Sequence, residues 1–399
     1  MVPYSTSELL ALMEDAPATT GALAILCFSL DWQGPEQQTL WLAIRLHEKG
    51  RVLTLLVRDN SVLHQQAQAQ GLPCRAFPTD SSPAKLRTAI HLGRWLRQQS
   101  IELLLTTRLA DLGLAGLLRR WPTNKLLLLH RQFEPVYPCS GPRRWWLNWQ
   151  LRAVDAWLSP LARSGQQMLA HTTLSGRQLW VVPPAVLPSC FTTDDDTARL
   201  QGCSLLKLPA GAQLIGLLDC GGDGPAFALE VLYRLQQEHN SDAELVIMGN
   251  PATQSDLARW AALRELAQQL HLSHRVHLRP LQHAATPFLL YCPLNVLLLP
   301  SSQDATCLAV LEAMASGCPL VSAHTADAAD LLLHGNTARL FPPHDVATCA
   351  KQLFVTLSAP AQSLLLAERA AAHVRQFYNP IQQSQQLESI LEYVCQPQA

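Results

Sequence analysis

The sequence contains no Walker-type phosphate loop, no nucleic-acid-binding motif, no hydrolase order of Ser, His and Asp, and no histidines at metal-ligand spacing. These absences set aside P-loop nucleotidases, serine hydrolases, nucleic-acid binders and metalloenzymes. No window reaches the roughly 18 consecutive apolar residues of a membrane span. The opening residues Met1-Val2-Pro3-Tyr4-Ser5-Thr6-Ser7-Glu8 lack the basic segment of a signal peptide, so a cytoplasmic location is expected. Eleven cysteines, scattered from Cys27 to Cys395, form no C-x-x-C pair. Free thiols in a reducing compartment are expected, not a disulfide framework or a zinc site.

The chain has 399 residues, 48% of them hydrophobic and 15% charged. That length exceeds the roughly 250–300 residues at which a single core stops growing, so two domains are expected. The most informative stretch runs from Leu294 to Ser322. An apolar run ends at Pro300, a polar loop follows, an apolar-periodic segment reaches Gly317, and a second apolar run starts at Pro319. This reads as strand, loop, helix, strand, a βαβ unit. Asp304 falls in the loop beyond the first strand's carboxyl end, where open parallel sheets bind ligands, and Glu312 falls inside the helix. Ionised carboxylates there accept hydrogen bonds from sugar hydroxyls; the same pattern also describes a buried βαβ unit with two incidental acids.

Asp304, seven residues, Glu312, then Ala313-Met314-Ala315-Ser316-Gly317-Cys318-Pro319 resembles the donor-site signature of retaining glycosyltransferase family 4 with the GT-B fold. The resemblance implies an α/β chain of two Rossmann-like, doubly wound parallel-sheet domains facing across a cleft. It implies an acceptor domain over 1–187, a linker over 188–208, a nucleotide-sugar domain over 209–378, and a terminal helix over 379–399 that crosses back to the first domain. It puts Asp304 against the transferred sugar and Glu312 against the nucleotide's ribose. Further donor contacts fall on Gly249 and on the backbone of Ala305, Thr306, Cys307 and Leu308. The family needs no divalent metal, so no metal and no cofactor beyond the nucleotide-sugar substrate is implied.

In the first half, Ala22–Phe28, a loop with Gly34-Pro35-Glu36, a helix through Leu46 and a strand Val52–Val57 open a nucleotide-fold-like domain. This is similar to the family's opening, with one glycine missing. Gly34 could help hold an anionic acceptor group at the helix start, or serve as a plain βα turn. The strand Leu126–Leu129 ends in His130-Arg131, where the family commonly carries a catalytic-edge histidine. The resemblance therefore implies a catalytic His130 and an acceptor-binding Arg131, against the alternative of a satisfied structural histidine. The polar stretch Asp194–Leu208 reads as an irregular linker.

Residues 1–190 hold 19 Lys and Arg against 12 Asp and Glu, a balance of +7, and residues 191–399 hold 11 against 19, a balance of −8. A basic first half suits an anionic partner such as the inner membrane surface or a lipid-linked acceptor; mutual attraction of two domains explains it equally. Within it, Pro142-Arg143-Arg144-Trp145-Trp146-Leu147-Asn148-Trp149-Gln150-Leu151-Arg152 is a basic-aromatic helix that either lies on a membrane interface or packs inside its domain.

The chain departs from the family after Leu218, where an Arg and a Lys should clamp the donor's diphosphate. Here stand Asp219 and Asp223 and no base. Like charges repel a diphosphate, so an enzyme must bring a cation from another segment, with Lys207, Arg279 and His283 as candidates. Two functions follow. One is a glycosyltransferase moving a sugar from a nucleotide-sugar to a lipid- or glycan-linked acceptor in surface polysaccharide or glycoconjugate synthesis. The other is a catalytically inactive scaffold that binds a glycan or a partner.

Overall fold

The computed structural model describes residues 21–32, 34–78, 82–121, 125–133, 141–186, 191, 196–209, 211–219, 222–251, 253–281, 287–300 and 307–396. The side chains of 82–87, 196, 287 and 326–327 are excepted. The chain divides into unit 1, Met1–Ala185 with Pro380–Ala399, and unit 2, Val186–Asn379.

Unit 1 is built on β1 (Ala22–Cys27), β2 (Leu53–Arg58), β3 (Cys74–Phe77), β4 (Ile101–Thr106), β5 (Leu127–Arg131), β6 (Ala156–Ser159) and β7 (Leu179–Val181). All pairings are parallel, in the order β3-β2-β1-β4-β5-β6-β7. The apolar run of β1 explains why helices must cover both faces. Leu23, Ile25 and Cys27 enter one core cluster, whereas Ala24, Leu26 and Phe28 enter another. The first face is closed by helix Gly34–Glu48 through Leu42 and Leu46, and by the terminal helix Pro380–Cys395 through Leu387, Ile390 and Leu391. Lys49 Nζ, 2.6 Å from Glu388, and an edge contact of Trp180 with Tyr393 hold that terminal helix on unit 1. The strand order reverses between β1 and β4, so unit 1's switch point lies there.

Unit 2 carries β8 (Leu214–Asp219), β9 (Glu244–Gly249), β10 (Val276–Pro280), β11 (Val296–Leu299), β12 (Leu320–Ala323) and β13 (Arg339–Phe341), in the order β10-β9-β8-β11-β12-β13. Its pairings are also parallel, and the order reverses between β8 and β11. Ile215, Leu217, Ile247, Val296 and Leu298 pack under helices Gly224–His239 and Val346–Ser358. Both units are therefore doubly wound parallel-sheet folds, as expected.

One expectation fails. The stretch read as an irregular linker contains helix Asp196–Leu206, and its residues fall within unit 2. Polarity misled the reading, because the helix spends its small and apolar residues on a close contact. Cys203 and Leu206 are buried, and a Cβ on Gly202 would lie 2.7 Å from the Leu289 carbonyl oxygen and 2.9 Å from Pro293. Asn295 fixes the junction, since its Oδ1 accepts from Arg199 Nη2 and from the Leu214 N–H.

Candidate active site

The switch point of unit 2 brings together the ends of β8 and β11, and the sequence signature lies on the element after β11. Asp304, Ala305 and Thr306, expected at the donor, lie outside the described residues. Cys307 and Leu308 form the first turn of helix Cys307–Ala315. The helix closes as its sequence dictates. Gly317 takes a left-handed φ of 68°, the Ser316, Gly317 and Cys318 N–H groups donate to Glu312, Met314 and Ala313 carbonyls, and Pro319 prevents continuation. Ala313, Met314 and Ala315 are fully buried, which accounts for the small and apolar residues of the motif's tail.

Glu312 sits half-buried on this helix. No cation pairs with it among the described residues, and burial pushes its carboxyl up to about 8 from the ordinary 4.5. A carboxyl group kept proton-bearing at neutral pH can both donate and accept, which suits a vicinal diol.

At the end of β8, Asp219 does not present a bare negative charge. Its side chain is 1% exposed. Its Oδ1 and Oδ2 accept from Arg259 Nη2 at 3.1 and 3.0 Å, and Oδ2 accepts from Trp260 Nε1 at 2.6 Å. Both partners stand on helix Gln254–Gln269, whose start is fixed by the Thr253 and Asp256 capping box. Arg259 also reaches Asp256 Oδ1 at 3.3 Å and keeps 30% of its side chain exposed. The repulsion expected from Asp219 is thus cancelled by a guanidinium absent from the sequence-level candidates. Arg279 Nη2 donates to the Lys207 carbonyl at 2.9 Å, and His283 lies outside the described residues. Asp223 is exposed just before helix Gly224–His239.

Gly249, expected to touch the donor, has a packing reason of its own. A Cβ there would stand 3.0 Å from the Asp219 Cβ and 3.4 Å from Trp260. The glycine lets β8, β9 and Trp260 converge.

In unit 1, His130 is the last residue but one of β5 and is 2% exposed. It shares a 2.8 Å hydrogen bond with Thr106 Oγ1 through Nδ1 and lies 4.4 Å from the Trp157 ring. Burial lowers its pKa to about 3, so at neutral pH it is a neutral, packed imidazole that keeps one ring N–H but is not an imidazolium acid. Arg131, on the opposite side of the strand, is 1% exposed and donates from Nη2 to the Pro183 carbonyl at 3.4 Å. Its guanidinium lies over Phe133, and its Nη1 is buried without a partner. Gly34 begins helix Gly34–Glu48 and is partly exposed, and in the second turn buried Gln38 donates to the Ala185 carbonyl and accepts from its N–H. At the switch point between β1 and β4, Arg108 stands 3.9 Å from buried Glu36 and 3.8 Å from Asp31.

Residues 214–358 match the family profile described as Glycosyl transferases group 1. The D-inositol 3-phosphate glycosyltransferase of Nocardia farcinica is 28% identical over 227 residues, 53% of this chain and 49% of the relative. The enzyme of that description from Mycolicibacterium paratuberculosis is 33% identical over 192 residues, 48% of this chain and 42% of the relative. The chain thus spans about half the length of these curated relatives. Among solved structures, a glycosyltransferase from Rickettsia africae superposes with a TM-score of 0.78 at 14% identity, over 95% of this chain and 100% of that one. Anabaena HepE in complex with UDP and glucose superposes with a TM-score of 0.77 at 14% identity, over 92% and 98% of the two chains. The chain has the GT-B fold, and within its second unit residues 214–358 are similar to the Glycosyl transferases group 1 profile.

Proposed function

We propose that this protein is a retaining glycosyltransferase that binds a nucleotide-sugar on unit 2. It moves the sugar to a lipid- or glycan-linked acceptor in surface polysaccharide or glycoconjugate synthesis. The observation that carries the reading is Glu312, a carboxyl without a cation partner among the described residues and raised to about 8, on the helix that follows β11 and inside the stretch that matches the family. The relatives' descriptions and the UDP and glucose bound to HepE support a nucleotide-sugar donor.

In this reading Glu312 grips the ribose hydroxyls. The N–H groups that open helix Cys307–Ala315 face the diphosphate, with Asp304 at the sugar. Arg259 is the cation brought from another segment: exchanging part of its contact with Asp219 for a phosphate oxygen stabilises the charge that develops on the departing diphosphate. His130 and Arg131 shape the acceptor end of unit 1 without a proton-transfer step for the neutral imidazole.

Incubation with UDP-, GDP- and ADP-linked sugars, followed by NMR of the released sugar, tests this. Slow hydrolysis of one donor is expected, with the donor's anomeric configuration kept in the first product. Turnover of none, or inversion, contradicts it.

A further inference from the structure

Helix Gly141–Leu151 turns only its far end inward: Gln150 and Leu151 are buried, whereas Gly141 through Trp146 are exposed. Trp145 is 68% and Trp146 49% exposed. Two adjacent tryptophans left in water forgo the largest hydrophobic gain available to any side chain. The helix is nonetheless seated firmly. Gly113 and Gly116 of helix Leu109–Arg120 let it approach, since a Cβ on Gly113 would lie 3.0 Å from Gln150 Nε2, and one on Gly116 3.5 Å from the Ala153 Cβ. Trp146 stacks on Trp149 at 4.9 Å and 14°, Arg120 lies 4.2 Å over the Trp149 ring, and Arg120 Nη2 donates to the Trp149 carbonyl. The aromatic ledge is therefore rigid.

Its surroundings are basic. Arg143, Arg144, Arg120 and Arg152 are exposed, and helix Gly141–Leu151 carries no acid. Partial burial lowers the pKa of Arg120, and the nearby charges of Arg119 and Arg152 add to it. Asp155, the acid close by, is already taken by Arg119 at 3.1 Å. Leu117, 45% exposed one helical turn from Arg120, and Trp121, 37% exposed beside it, extend the apolar part.

We propose that this face of unit 1, the outer side of helix Gly141–Leu151 with the end of helix Leu109–Arg120, docks on a bilayer surface that contains anionic lipid. Tryptophan rings prefer the boundary between headgroups and acyl chains, and arginines beside them pair with lipid phosphates. Nucleic acid fits less well. Reading bases by stacking needs open ring faces, and those of Trp146 and Trp149 are occupied by one another and by Arg120. The docking is independent of whether the protein transfers a sugar.

The test is co-sedimentation of the full chain with vesicles of phosphatidylcholine alone and of phosphatidylcholine mixed with phosphatidylglycerol, at low and high salt. Binding is expected to the mixed vesicles only, and to be lost at high salt, where screening shortens to about 3 Å at 1 M. Trp145→Ala, at the most exposed position, is expected to weaken binding about tenfold with an unchanged melting temperature, and Arg143→Ala with Arg144→Ala to weaken it by at least as much. Absence of binding to the mixed vesicles at low salt overturns the proposal, as does full binding by Trp145→Ala. Duplex DNA bound as tightly as the vesicles, and equally by Trp145→Ala, also overturns it by showing a general polyanion face.

Discussion

Asp219→Ala is expected to lower stability by about 3 kcal/mol, the largest single-residue loss predicted for unit 2. The carboxylate is 1% exposed and receives three hydrogen bonds from Arg259 and Trp260. Removing it strands a buried indole N–H and leaves a guanidinium with one weaker acid contact at 3.3 Å. Arg259 is 30% exposed and regains some hydration, which keeps the loss at the lower end for a broken buried pair. For a unit of this size the loss corresponds to roughly 6–12 °C in melting temperature. Asp219→Asn keeps an acceptor for Trp260, so its expected loss is smaller. It also frees Arg259 from its main competitor, and it is expected to tighten nucleoside diphosphate binding while destabilising the fold. If Asp219→Asn weakens diphosphate binding, Arg259 is a structural cation and the phosphate is held by other groups. Thermal melts of both variants, with and without nucleotide, read both effects.

Glu312→Gln is expected to make the protein more stable at pH 8 and no more stable at pH 5. The folded carboxyl titrates near 8 and the unfolded one near 4.5. The native state therefore holds a proton that the unfolded chain releases, and stability from this group is complete below about 4.5 and is lost as pH rises toward 8. With a half-buried side chain the loss is about 1–3 kcal/mol. His130 acts in the opposite sense. Its pKa is lowered to about 3, so acid destabilises the fold as pH falls below 6.5. That contribution is common to both proteins, and the difference between their pH–stability curves isolates Glu312. Melting curves that stay parallel from pH 5 to pH 8 contradict the burial of this carboxyl.

The fold was legible because β1 and β11 are apolar throughout and the middles of β4 and β8 are too, as buried parallel strands must be, and because Gly317 and Pro319 mark the end of a helix and the start of a strand. The helix over 196–206 was not legible, since its contact with Leu289 and Pro293 depends on a glycine whose neighbours lie far along the chain. Asp219 was legible as an acid in an anion's place, but its neutralisation was not. Arg259 lies forty residues away, and only the β8 and β9 register, with Asp219 opposite Gly249, brings helix Gln254–Gln269 over it. The sequence reading ends the strand at Leu129, whereas β5 continues through His130 to Arg131; that His130 is covered depends on Trp157, from the next strand. The exposure of Trp145 and Trp146 was undecided in the sequence because an Arg and Trp pattern on a helix fits an inner and an outer face equally well.

In the proposed function, unit 2 binds a nucleotide-sugar through Glu312. Calorimetric titration of the full chain with UDP, GDP and ADP, in parallel with Glu312→Gln, tests it most directly. One nucleotide is expected to bind the unaltered protein, and Glu312→Gln to weaken it roughly tenfold, the equivalent of about 1.4 kcal/mol and near the upper end for a neutral hydrogen bond. Binding of none of the three, or binding of one with equal strength by Glu312→Gln, contradicts it.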